Sequence, residues 1–113
     1  MTIDEFQKVD LRVGKIVAAE RIPNSEKLVK MQVDLGNADP GGVSGIRQVL
    51  AGVGKAYAPE DLIGKEIIVV ANLEPRMLMG EESRGMLLAA SDAEGIPVIL
   101  TVEKPVPHGT IIK

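Results

Sequence analysis

The sequence contains no cysteine. Disulfides, thiol nucleophiles and zinc–thiolate centres are excluded together. Tryptophan is also absent, and Phe6 and Tyr57 are the only aromatic rings. A protein that stacks base after base of a single strand on aromatic side chains needs more platforms than this. The one histidine, His108, lies between Pro107 and Gly109 and reads as a solvated residue of a tail rather than a proton shuttle. No apolar run reaches the roughly 20 residues of a membrane-spanning helix. The amino terminus carries Asp4 and Glu5 instead of a basic-then-apolar leader, so a cytoplasmic location is expected. Positive charge is in slight deficit, with 13 Lys and Arg against 16 Asp and Glu, a net charge of -3. That balance argues against loose, field-driven binding to nucleic acid. It leaves room for a local basic face, because an average says nothing about placement.

Chemistry is equally sparse. Glu81-Glu82 reads as a solvated charge run, and Glu60-Asp61 suits the start of a helical turn. Ser44 has no general base nearby, so a nucleophilic triad has no support. Gly41-Gly42 lacks the Lys and helix pattern of a phosphate loop. Metal ligands at plausible spacing are missing. The reading is a binding module with no catalytic residues, no metal and no cofactor.

The 113 residues suffice for one domain with a modest core. Thr2-Ile3-Asp4-Glu5 matches a capping box and predicts a short helix over about Ile3–Lys8. A first strand follows from Val9 to Arg21, with a bulge expected near Gly14. Pro23-Asn24-Ser25 breaks the chain. Val29, Met31, Val33 and Leu35 alternate with Lys30, Gln32 and Asp34 as a second strand. Gly36 to Gly45 is rich in turn residues and predicts a flexible hairpin connection. Arg47–Val53 is a third strand. Tyr57 to Leu62 predicts a helical turn with Pro59 early. Three strands, a short helix and two more strands is the order of the all-β OB-fold, a five-stranded barrel. Pro97–Val102 is a further extended run. The final segment cannot be helical with Pro105 and Pro107. Its Ile111 and Ile112 predict packing against either the barrel surface or a second subunit.

The chain is organised around residues 69–90. Lys65–Ala71 is an Ile- and Val-rich run that suits a buried fourth strand, and Gly85–Ala90 is a second apolar run and the expected fifth. The connection between them is longer than a tight hairpin turn. It carries a rigid Pro75 and mixes Asn72, Arg76, Ser83 and Arg84 with Leu78, Met79 and Met86. Long loops on rigid sheets often hold binding sites.

These residues also carry a resemblance. The pattern Asn72, Pro75, Arg76, Met79, Gly80, Ser83, Gly85 and Met86 is similar to that of the tRNA-binding domain appended to many methionyl-tRNA synthetases, which also exists as a stand-alone protein. Phe6–Ile16, Glu26-Lys27-Leu28, Met31–Gly36 and Tyr57–Lys65 agree with it, so the resemblance runs nearly end to end. It strengthens the barrel assignment and implies tRNA as ligand, a methionyl-tRNA synthetase as partner, and dimerisation through segments beyond the barrel. The site it implies comprises Asn72, Arg76, Met79, Ser83 and Met86. Asn72 and Ser83 are of a type that bonds phosphate, 2′-OH or a base edge. Arg76 can take phosphate bidentately, and Met79 and Met86 suit an unstacked base or sugar. An OB barrel binds across its second and third strands, between the loops that follow the first and fourth. That adds Lys27, Lys30, Arg47 and Arg84 as RNA-binding cations, with Arg12, Lys15 and Lys55 in reserve. The chain departs from the family at Met77, where a basic residue is common, at Glu81, where an apolar one is usual, and at Ala51, commonly Ser. Recognition of folded RNA by shape and backbone is the expected function. A chaperone-like module that binds apolar peptide through the methionine-lined loop is the alternative.

Overall fold

The computed structural model describes residues 1–36 and 45–113. The turn-rich connection expected after Gly36 therefore lies outside the described residues, as does Ser44. The capping box forms as expected. Thr2 Oγ1 accepts from the Glu5 N–H and Glu5 Oε1 accepts from the Thr2 N–H, each at 3.2 Å. The helix it starts, α1 (Ile3–Phe6), is shorter than expected.

Strand β1 (Leu11–Arg21) is the spine of the barrel. Its second half pairs with β2 (Val29–Asp34), and its first half pairs with β4 (Glu66–Val70). β2 also pairs with β3 (Ile46–Ala51), and β4 with β7 (Met86–Leu87). All these pairs are antiparallel and give the order β3-β2-β1-β4-β7. The barrel is thus a five-stranded OB-like one. The alternation in β2 turns Val29, Met31 and Val33 fully inward, where they meet Ile16, Val49, Ile67 and Val69. Leu62 of α2 (Pro59–Leu62) is buried in the same cluster.

The bulge falls at Val17, between the pairs Ile16↔Val33 and Ala18↔Gln32, and not at Gly14. Gly14 serves packing instead: a Cβ there would stand 2.5 Å from Val33 Cγ1, a separation no pair of carbon atoms tolerates.

Two ribbons lie off the barrel. The connection after β4 contains a hairpin, β5 (Arg76–Leu78) and β6 (Glu81–Ser83). The expected fifth strand over Gly85–Ala90 divides at Leu88: β7 stays in the barrel, whereas β8 (Ala89–Ser91) pairs with β9 (Pro97–Ile99). The Ile99 N–H donates to the Tyr57 hydroxyl at 3.1 Å and so ties this ribbon to the α2 connection. The carboxyl-terminal segment lies against the barrel. β10 (Ile111–Ile112) adds to the start of β1, with Leu11 opposite Ile112. This draws His108 out of a free tail: its Nδ1 lies 3.5 Å from Asp34 Oδ2. Among the described residues no helix is long and apolar enough to cross a membrane.

Candidate nucleic-acid interface

The connection between β4 and β7 is a built element and not an open loop. Arg76 faces Ser83 and Leu78 faces Glu81, which leaves Met79-Gly80 as a two-residue turn. Both have positive φ, 49° at Met79 and 82° at Gly80. Positive φ at both central residues is the pattern of the turn that matches strand twist, normally written Asn-Gly. A methionine in the left-handed region costs about 1–2 kcal/mol, and its side chain here is 55% exposed. Sequence reasoning missed the hairpin because only Gly80 signals it.

A framework of polar side chains fixes this hairpin to the barrel. Ser83 is 3% exposed. Its hydroxyl accepts from the Leu50 N–H and donates to the Gly85 carbonyl, both at 3.0 Å. It closes the gap between β3 and the β6–β7 junction, beside the Arg84 N–H to Gln48 carbonyl bond of 2.8 Å. Gly85 has φ 147° and its Cα lies so near Val70 that a Cβ would meet that carbonyl at 3.1 Å. Gln48, which the sequence did not single out, donates to the Glu82 carbonyl at 2.8 Å and accepts from Gln32 at 3.0 Å. The signal for it was present, since Gln32 and Gln48 face each other in the β2–β3 register. Asn72 is exposed, yet both ends of its amide are engaged. It accepts from the Asp10 N–H at 3.0 Å and donates to the Lys8 carbonyl at 2.6 Å. It therefore fastens the amino-terminal segment to the end of β4. Arg47 lies opposite Val33, and its guanidinium donates to the Ala71 carbonyl at 2.7 Å.

The remaining site residues divide by availability. The Arg76 side chain is exposed and makes no hydrogen bond or ion pair among the described residues. It lines a cavity of about 430 Å³ together with Leu73, Leu78, Ser83 and Met86. The hollow is mostly apolar, with Glu74 also in its lining, and a cation at its rim can hold a phosphate while a base or sugar enters beside it. Met79 projects from the hairpin tip, and Met77 is 62% exposed on β5. Arg84 is exposed, 3.7 Å from Glu82. Lys27 is exposed, with its stem over Gly52. Of the reserves, Arg12 is only 6% exposed and bound to Asp10 at 2.8 Å. Lys15 is half-buried and Lys55 exposed.

Lys30 is held between two carboxylates. Its Nζ lies 2.9 Å from Glu20 and 3.1 Å from Glu81. These hydrogen bonds, Glu20 first and Glu81 second, hold its pKa above the ordinary 10.5. Glu81 and Glu82 are thus each paired with a cation and are not a plain solvated run.

A small antiparallel five-stranded barrel, with a helix between β3 and β4 and a polar-framed hairpin after β4, is an OB-type binding fold. The chain belongs to the tRNA-binding domain family: the family model described as "Putative tRNA binding domain" matches residues 11–111. Methionine--tRNA ligase of Caldanaerobacter subterraneus is 50% identical over 112 residues, which cover 99% of this chain and 16% of that protein. The chain therefore spans about one sixth of the length of this curated relative. Among solved structures, a MetRS related protein from Pyrococcus horikoshii has a TM-score of 0.88 at 35% identity and covers 100% of this chain and 97% of its own. The chaperone CsaA from Bacillus anthracis has a TM-score of 0.86 at 31% identity, with 100% and 98% covered.

Proposed function

We propose that this chain binds tRNA by shape and backbone, with little sequence selectivity, through the β4–β7 connection. The observation that carries this is Arg76: an exposed cation without a partner among the described residues, set beside the 430 Å³ hollow lined by Leu73, Leu78 and Met86. Arg76 takes a phosphate, and Met86 and Met79 meet an unstacked base or its sugar. Lys27 and Arg84 add phosphate contacts from the flanks. Asn72, Ser83 and Arg47 act one step back, by holding the backbone on which these side chains stand. No step of this function needs a catalytic group.

The same reading includes a homodimer. Ile3 is 65% and Ile111 50% exposed, and both line a groove of about 480 Å³ with Phe6, Val9 and Ile112. A second copy that buries this groove would present two barrels to one folded RNA and raise affinity by linkage. The partner in biology would be a methionyl-tRNA synthetase, either in the same polypeptide or as a separate protein, in the cytoplasm.

The test is a titration of tRNA at two salt concentrations with Arg76→Ala beside the wild type. Binding should weaken with salt and fall about tenfold in the variant, with the salt slope smaller by about one phosphate. Binding that ignores the substitution would move the site elsewhere. A second reading rests on the apolar side chains of the same connection, Leu73, Met77 and Met79, each at least half exposed. They suit apolar peptide, and binding of that kind would not weaken as salt rises.

A further inference from the structure

One cation on the binding face is already occupied by the protein itself. Lys30 stands opposite Glu20 in the β1–β2 register, so the ladder sets their 2.9 Å contact. Glu81 comes from elsewhere. It follows the Met79-Gly80 turn and reaches the same ammonium at 3.1 Å. The base of the hairpin is held independently, through Ser83 and the Gln48 bond to the Glu82 carbonyl. The Lys30–Glu81 contact therefore ties down the tip. The trio lines an adjoining cavity of about 570 Å³, together with residues 21–24 and Met79. The trio carries two negative charges against one positive. An ammonium offers three donors, and two are taken by carboxylate oxygens, in the manner two phosphate oxygens would take them.

Resting on the tRNA reading of this site, we infer that Glu81 is a specificity determinant that holds Lys30 in place of RNA phosphate. An RNA phosphate that takes the place of the Glu81 carboxylate on Lys30 frees the hairpin tip with Met79. The occupied lysine rejects isolated anions and loosely held polyanions. A folded RNA already anchored at Arg76 supplies phosphate at high effective concentration and completes the exchange.

The test is a double-mutant cycle read by tRNA affinity in low salt, using wild type, Glu81→Gln, Lys30→Met and the double variant. Removing one partly exposed ion pair is worth a few-fold, so Glu81→Gln should bind about three- to fivefold tighter. Its salt dependence should steepen by about one phosphate. In the Lys30→Met background the same substitution should add nothing. Amide hydrogen exchange across Leu78–Ser83 in the free proteins should rise in Glu81→Gln and in Lys30→Met. A gain that persists without Lys30 would reduce Glu81 to general charge repulsion and overturn the inference. So would unchanged affinity in Glu81→Gln, or unchanged exchange at the tip. Binding by Glu81→Gln alone, with none by the wild type, supports it in its strongest form. Failure of all four proteins to bind tRNA would remove the RNA reading itself, and this inference with it.

Discussion

Replacing Ser83 by alanine separates the two meanings of a polar residue in this site. The Ser83 hydroxyl bridges the Leu50 N–H and the Gly85 carbonyl at 3.0 Å each, and Leu50 is fully buried. Removal leaves a buried donor with no partner, which costs about 1–3 kcal/mol. The Gly85 carbonyl also loses a bond of about 1 kcal/mol. The expected loss is therefore about 2–4 kcal/mol, a large share of the roughly 5–15 kcal/mol of a typical domain. For a chain of this size each kcal/mol shifts Tm by about 4 °C, so Tm should fall by about 8–16 °C. Thermal unfolding followed by circular dichroism reads the first number. tRNA titration well below the lowered Tm reads the second, and there affinity should change by less than about threefold, since the hydroxyl is engaged by the protein's own backbone. A Tm within about 2 °C of wild type, combined with a tenfold loss of affinity, would refute the reasoning and make the hydroxyl a direct RNA contact.

Asn72→Ala should release residues 8–10 from the end of β4, lowering stability by about 1 kcal/mol per hydrogen bond lost, less solvation. The Asp10 amide, now bonded to Asn72 at 3.0 Å, should exchange faster; unchanged exchange would contradict its fastening role. Met79→Asn should act in the opposite direction on stability. Asparagine tolerates the left-handed backbone that Met79 adopts at φ 49°, so Tm should rise by a few degrees, corresponding to about 1 kcal/mol. Ligand affinity should fall with the loss of the thioether, and a fall in Tm would show that the turn is held by contacts other than its backbone.

The barrel was legible because its cause is local. Alternation in Val29–Asp34 and the run at Glu66–Val70 mark strands whichever partner they take. Thr2 and Glu5 settle their own helix start. The hairpin was not legible, because Met-Gly carries no turn signal at its first position. The division at Leu88 was hidden for a related reason. Met86, Leu87, Leu88 and Ala89 form one unbroken apolar run, and nothing in it marks where the chain leaves the barrel for β9. The proposed site residues could be read from the sequence as types and not as roles. A serine or asparagine at a family position offers the same donors to a phosphate as to its own backbone. Only the register that brings Ser83 beside Leu50, or Asn72 beside Asp10, decides which partner is reached first.

The same distinction sets the electrostatics of binding. Of the cations around the interface, Arg47 is bound to a backbone carbonyl, Lys30 to Glu20 and Glu81, and Arg84 lies near Glu82. Among the proposed cations, the side chains of Arg76 and Lys27 alone carry no hydrogen bond or ion pair among the described residues. A cation that must exchange a carboxylate for a phosphate releases a counterion from the RNA but exposes a carboxylate that gathers another. Its net contribution to salt dependence is small. Two unengaged cations per barrel therefore predict a slope of log affinity against log salt of about -2, and about -4 if two barrels grip one RNA. Titration from low to moderate salt reads this slope directly. A value of about -7 or steeper would mean that the paired cations bind as freely as unpaired ones, and the account of Glu81 and Glu82 as occupants of the binding face would fall.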